Sequence, residues 1–213
     1  FGRTSEEARK EFTQIVKIKN TDKLCIFTKA GMMYQVRAEK IPRCKMKDKG
    51  TLIHTLCRMD NADEALLYVS FEDLFESMLM FTTKSGYIKL VSGVEFETSR
   101  LQVVSTKLDE GDALAGVTLV TAAEILADDQ KVILLTDQGL SLGFPVSEVS
   151  EFKKTSRGVK AITLDQDDYL VYATVEPQSA ETFCYEGRVL NAKRVRNRKR
   201  AAKGQKAILD IED

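Results

Sequence analysis

A chain of 213 residues with 43% hydrophobic content is long enough to bury a core of its own, as one large β domain or two average ones. Its 32 Lys and Arg balance its 32 Asp and Glu, its four cysteines lack any C-x-x-C spacing, and it has a single histidine, so neither a zinc centre nor a disulfide scaffold organises it. No stretch of 18 apolar residues occurs and the start, Phe1-Gly-Arg-Thr-Ser-Glu-Glu7, reads as neither signal nor transit peptide; we expect a cytoplasmic protein without membrane contact, and the missing initiator Met suggests a piece of a longer polypeptide.

In chain order, residues 4–12 are predicted as a short helix with Thr4 and Glu7 as its capping box. A β-rich run over residues 24–30 then meets Gly31 and continues as a second run over 32–36, the pattern of a hairpin whose glycine supplies the positive φ of a tight turn. A basic loop follows, with Arg43, Lys45, Lys47 and Lys49, and its Lys49-Gly50 pair leads to Ile53 and His54 in a small apolar strand. Residues 62–66 form at most a helical turn.

The same sequence of parts recurs. Runs over 78–85 and 87–91 flank Gly86, runs over 132–138 and 140–144 flank Gly139, and runs over 182–186 and 188–192 flank Gly187. Between them, residues 98–108 carry Arg100 but have Leu101 where a glycine is expected, and residues 122–126 form at most a turn. The third basic loop holds Lys153, Lys154, Arg157 and Lys160, with Arg157-Gly158 leading to Ala161 and Ile162. The fourth holds Lys193, Arg194, Arg196, Arg198, Lys199, Arg200, Lys203 and Lys206, with Lys203-Gly204 leading to Ala207 and Ile208. The turn glycines lie 55, 53 and 48 residues apart, the length of a four-stranded propeller blade with its connections. The expected fold is therefore all-β and propeller-like, a single domain over 1–213 with about four blades, in modules near 13–70, 71–125, 126–177 and 178–213.

The hairpin phenylalanines Phe27, Phe81, Phe144 and Phe183, with Tyr185, are read as packing between blades and not as base-stacking groups. His54 is read as a structural or surface residue, and Asp165-Gln-Asp-Asp168 as an inter-strand turn. Charge is segregated: residues 108–130 hold six acids (Asp109, Glu110, Asp112, Glu124, Asp128 and Asp129) and no base, while 188–206 hold nine bases and no acid, which predicts two faces of opposite sign. Repeated basic loops suit a polyanion, since phosphates are neutralised by Lys and Arg strung along a path.

The repeat as a whole, and above all Asn20-Thr-Asp-Lys-Leu-Cys-Ile-Phe-Thr-Lys-Ala-Gly-Met-Met-Tyr-Gln-Val36 followed by Ile41-Pro42 and Asp48-Lys-Gly-Thr51, resembles the C-terminal domain of the A subunit of bacterial type IIA topoisomerases, DNA gyrase and topoisomerase IV. The resemblance implies a β-pinwheel whose blades exchange strands and whose basic rim bends duplex DNA without reading its sequence. Gyrase members carry a loop of the type Gln-Arg-Arg-Gly-Gly-Lys-Gly; here residues 152–160 keep the bases and one glycine but lack the glutamine and the paired glycines, so a topoisomerase IV-like protein fits at least as well. It further implies partners in the ATPase-bearing B subunit together with the rest of the A subunit, a place at the bacterial nucleoid, and no cofactor in this domain, Mg and ATP serving the parent enzyme. None of the six tyrosines follows an arginine, so the cleavage chemistry is expected elsewhere. The competing reading is a propeller that scaffolds protein partners, its basic loops incidental.

Overall fold

The computed structural model describes residues 12–207 and 209–211; the helix predicted over 4–12 lies outside them but for Phe12, which is not helical. Four antiparallel hairpins form where the glycines place them: β1 (Lys23–Thr28) with β2 (Met32–Arg37), β4 (Ser77–Thr83) with β5 (Tyr87–Ser92), β8 (Gln130–Thr136) with β9 (Leu140–Pro145), and β12 (Thr182–Tyr185) with β13 (Arg188–Asn191). Gly31, Gly86, Gly139 and Gly187 all have positive φ, between 75° and 94°, which an L side chain adopts only with strain.

Three further long strands, β3 (Ala65–Ser70), β7 (Leu114–Thr121) and β11 (Leu170–Pro177), each pair with the first strand of the hairpin before them. The fourth strand of each sheet comes from the next module. β6 (Gln102–Val104) leaves the second hairpin and pairs with β2, β10 (Val159–Lys160) leaves the third and pairs with β5, and β14 (Gln205–Lys206) leaves the fourth and pairs with β9. The sheets thus run β3-β1-β2-β6, β10-β5-β4-β7 and β11-β8-β9-β14, with β12-β13 forming a two-stranded fourth.

Sheets stack face to face. Phe27 of the first sheet meets Phe81 of the second and Phe96 edge-on, at 6.1 and 5.2 Å between ring centres, and all three rings are buried. Met80 and Leu90 of the second sheet share a cluster with Leu134 and Phe144 of the third, and Ile133 of the third shares one with Phe183 of the fourth. Burying each such side chain stabilises the fold by roughly 1.5–3 kcal/mol, so the seams between blades form the core. Tyr185 is half-buried and stacks on Tyr172 at 4.9 Å.

Among the described residues α-helix is confined to three short pieces, α1 (Ile53–Cys57), α2 (Phe71–Phe75) and α3 (Ala122–Ala127), beside short 3-10 turns after each hairpin. Two sequence expectations are corrected here. Residues 122–126 form more than a turn, because Thr121 and Glu124 close a capping box around α3. The segment after Lys49-Gly50 becomes α1 instead of a strand, since among the described residues no hairpin of a preceding module stands before β1–β2 to accept an added strand; its Ile53, Leu56 and Cys57 instead cover Ile26, Tyr34 and Val36. His54 lies on α1 with its Nε2 3.4 Å from the Asp63 carbonyl.

Candidate nucleic-acid interface

Why the basic loops recur with a glycine is visible in the packing. A Cβ on Gly158 would stand 2.3 Å from the Ile88 carbonyl oxygen, and one on Gly204 would stand 2.8 Å from the Leu140 Cβ, so these glycines are where a returning segment crosses the preceding hairpin. Nothing lies within 4 Å of such an atom on Gly50, in keeping with the absence of a host hairpin for that loop among the described residues. Leu101, at the position without glycine, turns outward and is 71% exposed.

The crossings carry the cations to the surface. Arg43, Lys45, Lys47 and Lys49 are all exposed, as are Arg100, Lys153, Arg157, Lys160, Lys193, Arg194, Arg196, Arg198, Lys199, Lys203 and Lys206; Lys154 and Arg200 are half-buried. The second, third and fourth loops adjoin one another. Arg100, Lys107 and Lys154 line one groove of about 510 Å³, which adds Lys107 to the residues read from sequence. Arg200 Nη1 donates to the Lys160 carbonyl at 2.6 Å, and Thr163 bridges Lys203 in parallel, so the third and fourth loops share main-chain contacts. Lys193, Arg194, Arg196 and Lys206 then border a second groove of about 660 Å³.

Ion pairs reach into the basic loops. Arg157 is bound to Asp109 and lies 4.9 Å over the Tyr87 ring; Lys203 pairs with Asp165 at 2.8 Å, Lys193 with Glu181 at 2.6 Å, and Lys153 with Glu95 at 3.6 Å. The Asp109 charge, with a smaller opposing effect of burial, holds the Arg157 guanidinium above its ordinary range, and the Lys193 hydrogen bond and charge hold the Glu181 carboxyl below its own. Acids are interleaved with the bases. The acidic turn at 165–168 is structural: Asp168 Oδ1 accepts from the Gln138 and Tyr169 amides at 3.0 and 2.9 Å, as Asp63 and Asp112 accept from the Ala30 and Ser85 amides of the earlier hairpin turns.

Two more properties bear on chemistry. Burial pushes the Cys25 thiol up to about 12, which makes it inert, and all four cysteines are free thiols. No helix among the described residues is long and apolar enough to cross a membrane.

Comparison with known proteins follows the same four units. A family described as "DNA gyrase C-terminal domain, beta-propeller" matches residues 22–55, 77–121, 130–175 and 187–213. The A subunit of DNA gyrase from Helicobacter pylori is 30% identical over 168 residues, which cover 78% of this chain and 20% of that protein. The A subunit of DNA topoisomerase 4 from Staphylococcus epidermidis is 27% identical over 157 residues, 72% of this chain and 19% of that protein. The chain therefore spans about a fifth of the length of these relatives. Among solved structures, the C-terminal domain of DNA topoisomerase IV superposes with a TM-score of 0.74 over 95% of this chain and 66% of that one, at 20% identity.

Proposed function

We propose, since this chain belongs to the DNA gyrase C-terminal domain family, that it is the DNA-binding and DNA-bending part of a type IIA topoisomerase A subunit. Duplex DNA is held on the basic loops through its phosphates, without base readout, and delivered to a catalytic core on residues outside this chain. Strand cleavage, and the parent enzyme's use of Mg and ATP, belong to the B subunit together with the rest of the A subunit. The observation that supports this reading is that basic loops of successive modules adjoin: Arg100, Lys107 and Lys154 share one groove, Arg200 bonds the Lys160 carbonyl, and Lys193, Arg196 and Lys206 share a second groove. Basic loops repeated on successive blades suit a ligand that is uniformly charged and bends.

Binding to duplexes of about 40 and 150 base pairs at two salt concentrations tests it, with fluorescence transfer between the ends of the shorter DNA as the report on bending. Affinity that falls steeply with salt, favours the longer duplex and raises the transfer supports the proposal. Absence of binding at low salt would overturn it in favour of a protein-binding scaffold.

A further inference from the structure

Beneath each basic loop that crosses a preceding blade lies a buried hydrogen-bond donor aimed at the loop's main chain. In the first sheet, Gln35 is 4% exposed and its Nε2 donates to the Thr98 and Arg100 carbonyls at 3.1 and 2.6 Å. In the second, Lys89 is 2% exposed and its ammonium donates to the Lys154 and Ser156 carbonyls at 2.7 and 2.6 Å. In the third, Lys131 is 4% exposed and its ammonium donates to the Ala192 and Val195 carbonyls at 3.1 and 3.4 Å. Every pair of acceptors belongs to the next module and lies at or within two residues of a base: Arg100, Lys154, Arg157, Lys193, Arg194 or Arg196.

The opposite polarity is supplied from the short 3-10 turns that end the hairpins. Glu95 Oε2 accepts from the Lys154 amide at 3.1 Å, and Glu148 Oε2 accepts from the Arg200 amide at 2.7 Å. The loop backbone is thus gripped through both its carbonyls and its amides by side chains of the blade it crosses. A lysine is an expensive residue to bury in a sheet unless its three donors are used, and an apolar residue there would leave two loop carbonyls without partners.

We propose that Gln35, Lys89 and Lys131 are positioning residues for the DNA surface: they touch no DNA, and by fixing the main chain of the loops at 98–100, 154–156 and 192–195 they hold the exposed cations in line. This rests on the DNA-binding reading above, but the fixing of the loops is measurable without DNA. The conservative variant is already present in the molecule, since Gln35 does with a neutral amide what Lys89 does with an ammonium.

The test compares wild type, Lys89→Met and Lys89→Gln by amide hydrogen exchange over residues 152–161 and by DNA affinity across a salt series. Lys89→Met is expected to fold, to exchange at least about tenfold faster in that segment alone, and to lose about one phosphate contact from the salt slope. Lys89→Gln is expected to restore the exchange protection and the slope. Wild-type exchange in Lys89→Met, or a Lys89→Gln protein as loose as Lys89→Met, would overturn the positioning role. If the wild type binds no DNA the function proposed above fails by itself, and the exchange comparison still decides whether the donors fix the loops.

Discussion

At the scale of single residues, the basic surface is not the sum of its Lys and Arg. Arg157 is shared between Asp109 and the face of Tyr87, so a phosphate approaching it competes with a carboxylate already in place. Exposed ion pairs contribute about 0–1 kcal/mol to stability, so the competition is easily won, yet each broken pair reduces the net gain. Asp109→Asn is therefore expected to leave folding stability within about 0.5 kcal/mol and to tighten DNA binding a few-fold, with a steeper salt dependence. Isothermal titration at two salt concentrations reads both; weaker binding would show that Asp109 orients Arg157 usefully. Lys89 makes a separate prediction. Its burial, partly offset by Glu95, lowers its pKa from the ordinary 10.5 to about 8. Between those values the unfolded chain holds a proton that the folded one has released, so raising the pH through that window stabilises the fold. Chemical denaturation from pH 7 to pH 10 should show wild type gaining stability relative to Lys89→Gln; a constant difference between the two would mean that Lys89 titrates normally.

At the scale of elements, the hairpins were legible in the sequence because a glycine turn between two apolar runs leaves few alternatives. The third long strand of each sheet was not. Along β7 the buried side chains are Leu114, Val117 and Val120, every third residue, so the period-two signature of a half-buried strand is absent; the strand packs into two core clusters, Leu114 and Val117 in one and Val120 in the other. The basic-Gly loops were recognised as a repeat, but composition could not say that their glycines mark a crossing over another blade, because that contact joins residues about 70 positions apart, as between Gly158 and Ile88. Nor could charge blocks reveal that Asp109 would fold back beside Arg157, 48 residues later. The crossing makes the glycines unequal. Gly158→Ala places a methyl 2.3 Å from the Ile88 oxygen at a φ of +83° and should cost about 3 kcal/mol or more, whereas Gly50→Ala, at +68° with open space around it, should cost about 1 kcal/mol from backbone strain. Urea titration of the two variants separates them; equal losses would mean that backbone conformation alone accounts for both.

At the scale of the whole molecule, a net charge of zero is compatible with the polyanionic ligand proposed above, because the repeat gathers cations on the crossing loops. Acids that balance the total lie in turns such as 165–168 and at helix ends such as α3, and some of them, like Asp165 beside Lys203, reach the loops themselves. The fold class followed from the spacing of the turn glycines, and the order of strands within each sheet required the structure, because a borrowed strand of two residues such as β14 carries no pattern of its own.

The borrowed strands also set how the molecule responds to tension. Each sheet is completed by the module after it, like a chain stitch in which every loop is held by the next. Pulled by its two ends, the domain should come apart from the C-terminal side, since releasing β14 frees an edge of the third sheet, and releasing β10 an edge of the second. Each of those strands is two residues long and is released together with the loop contacts beside it, such as Phe152 to Leu90 and Arg198 to Gly143, so each release is a step that precedes a larger one. A force-extension trace should therefore show successive ruptures separated by roughly 180 Å of contour, the extended length of about one 50-residue module, in a fixed order. A single rupture of the whole length would mean that the seams between blades, and not the stitches, bear the load.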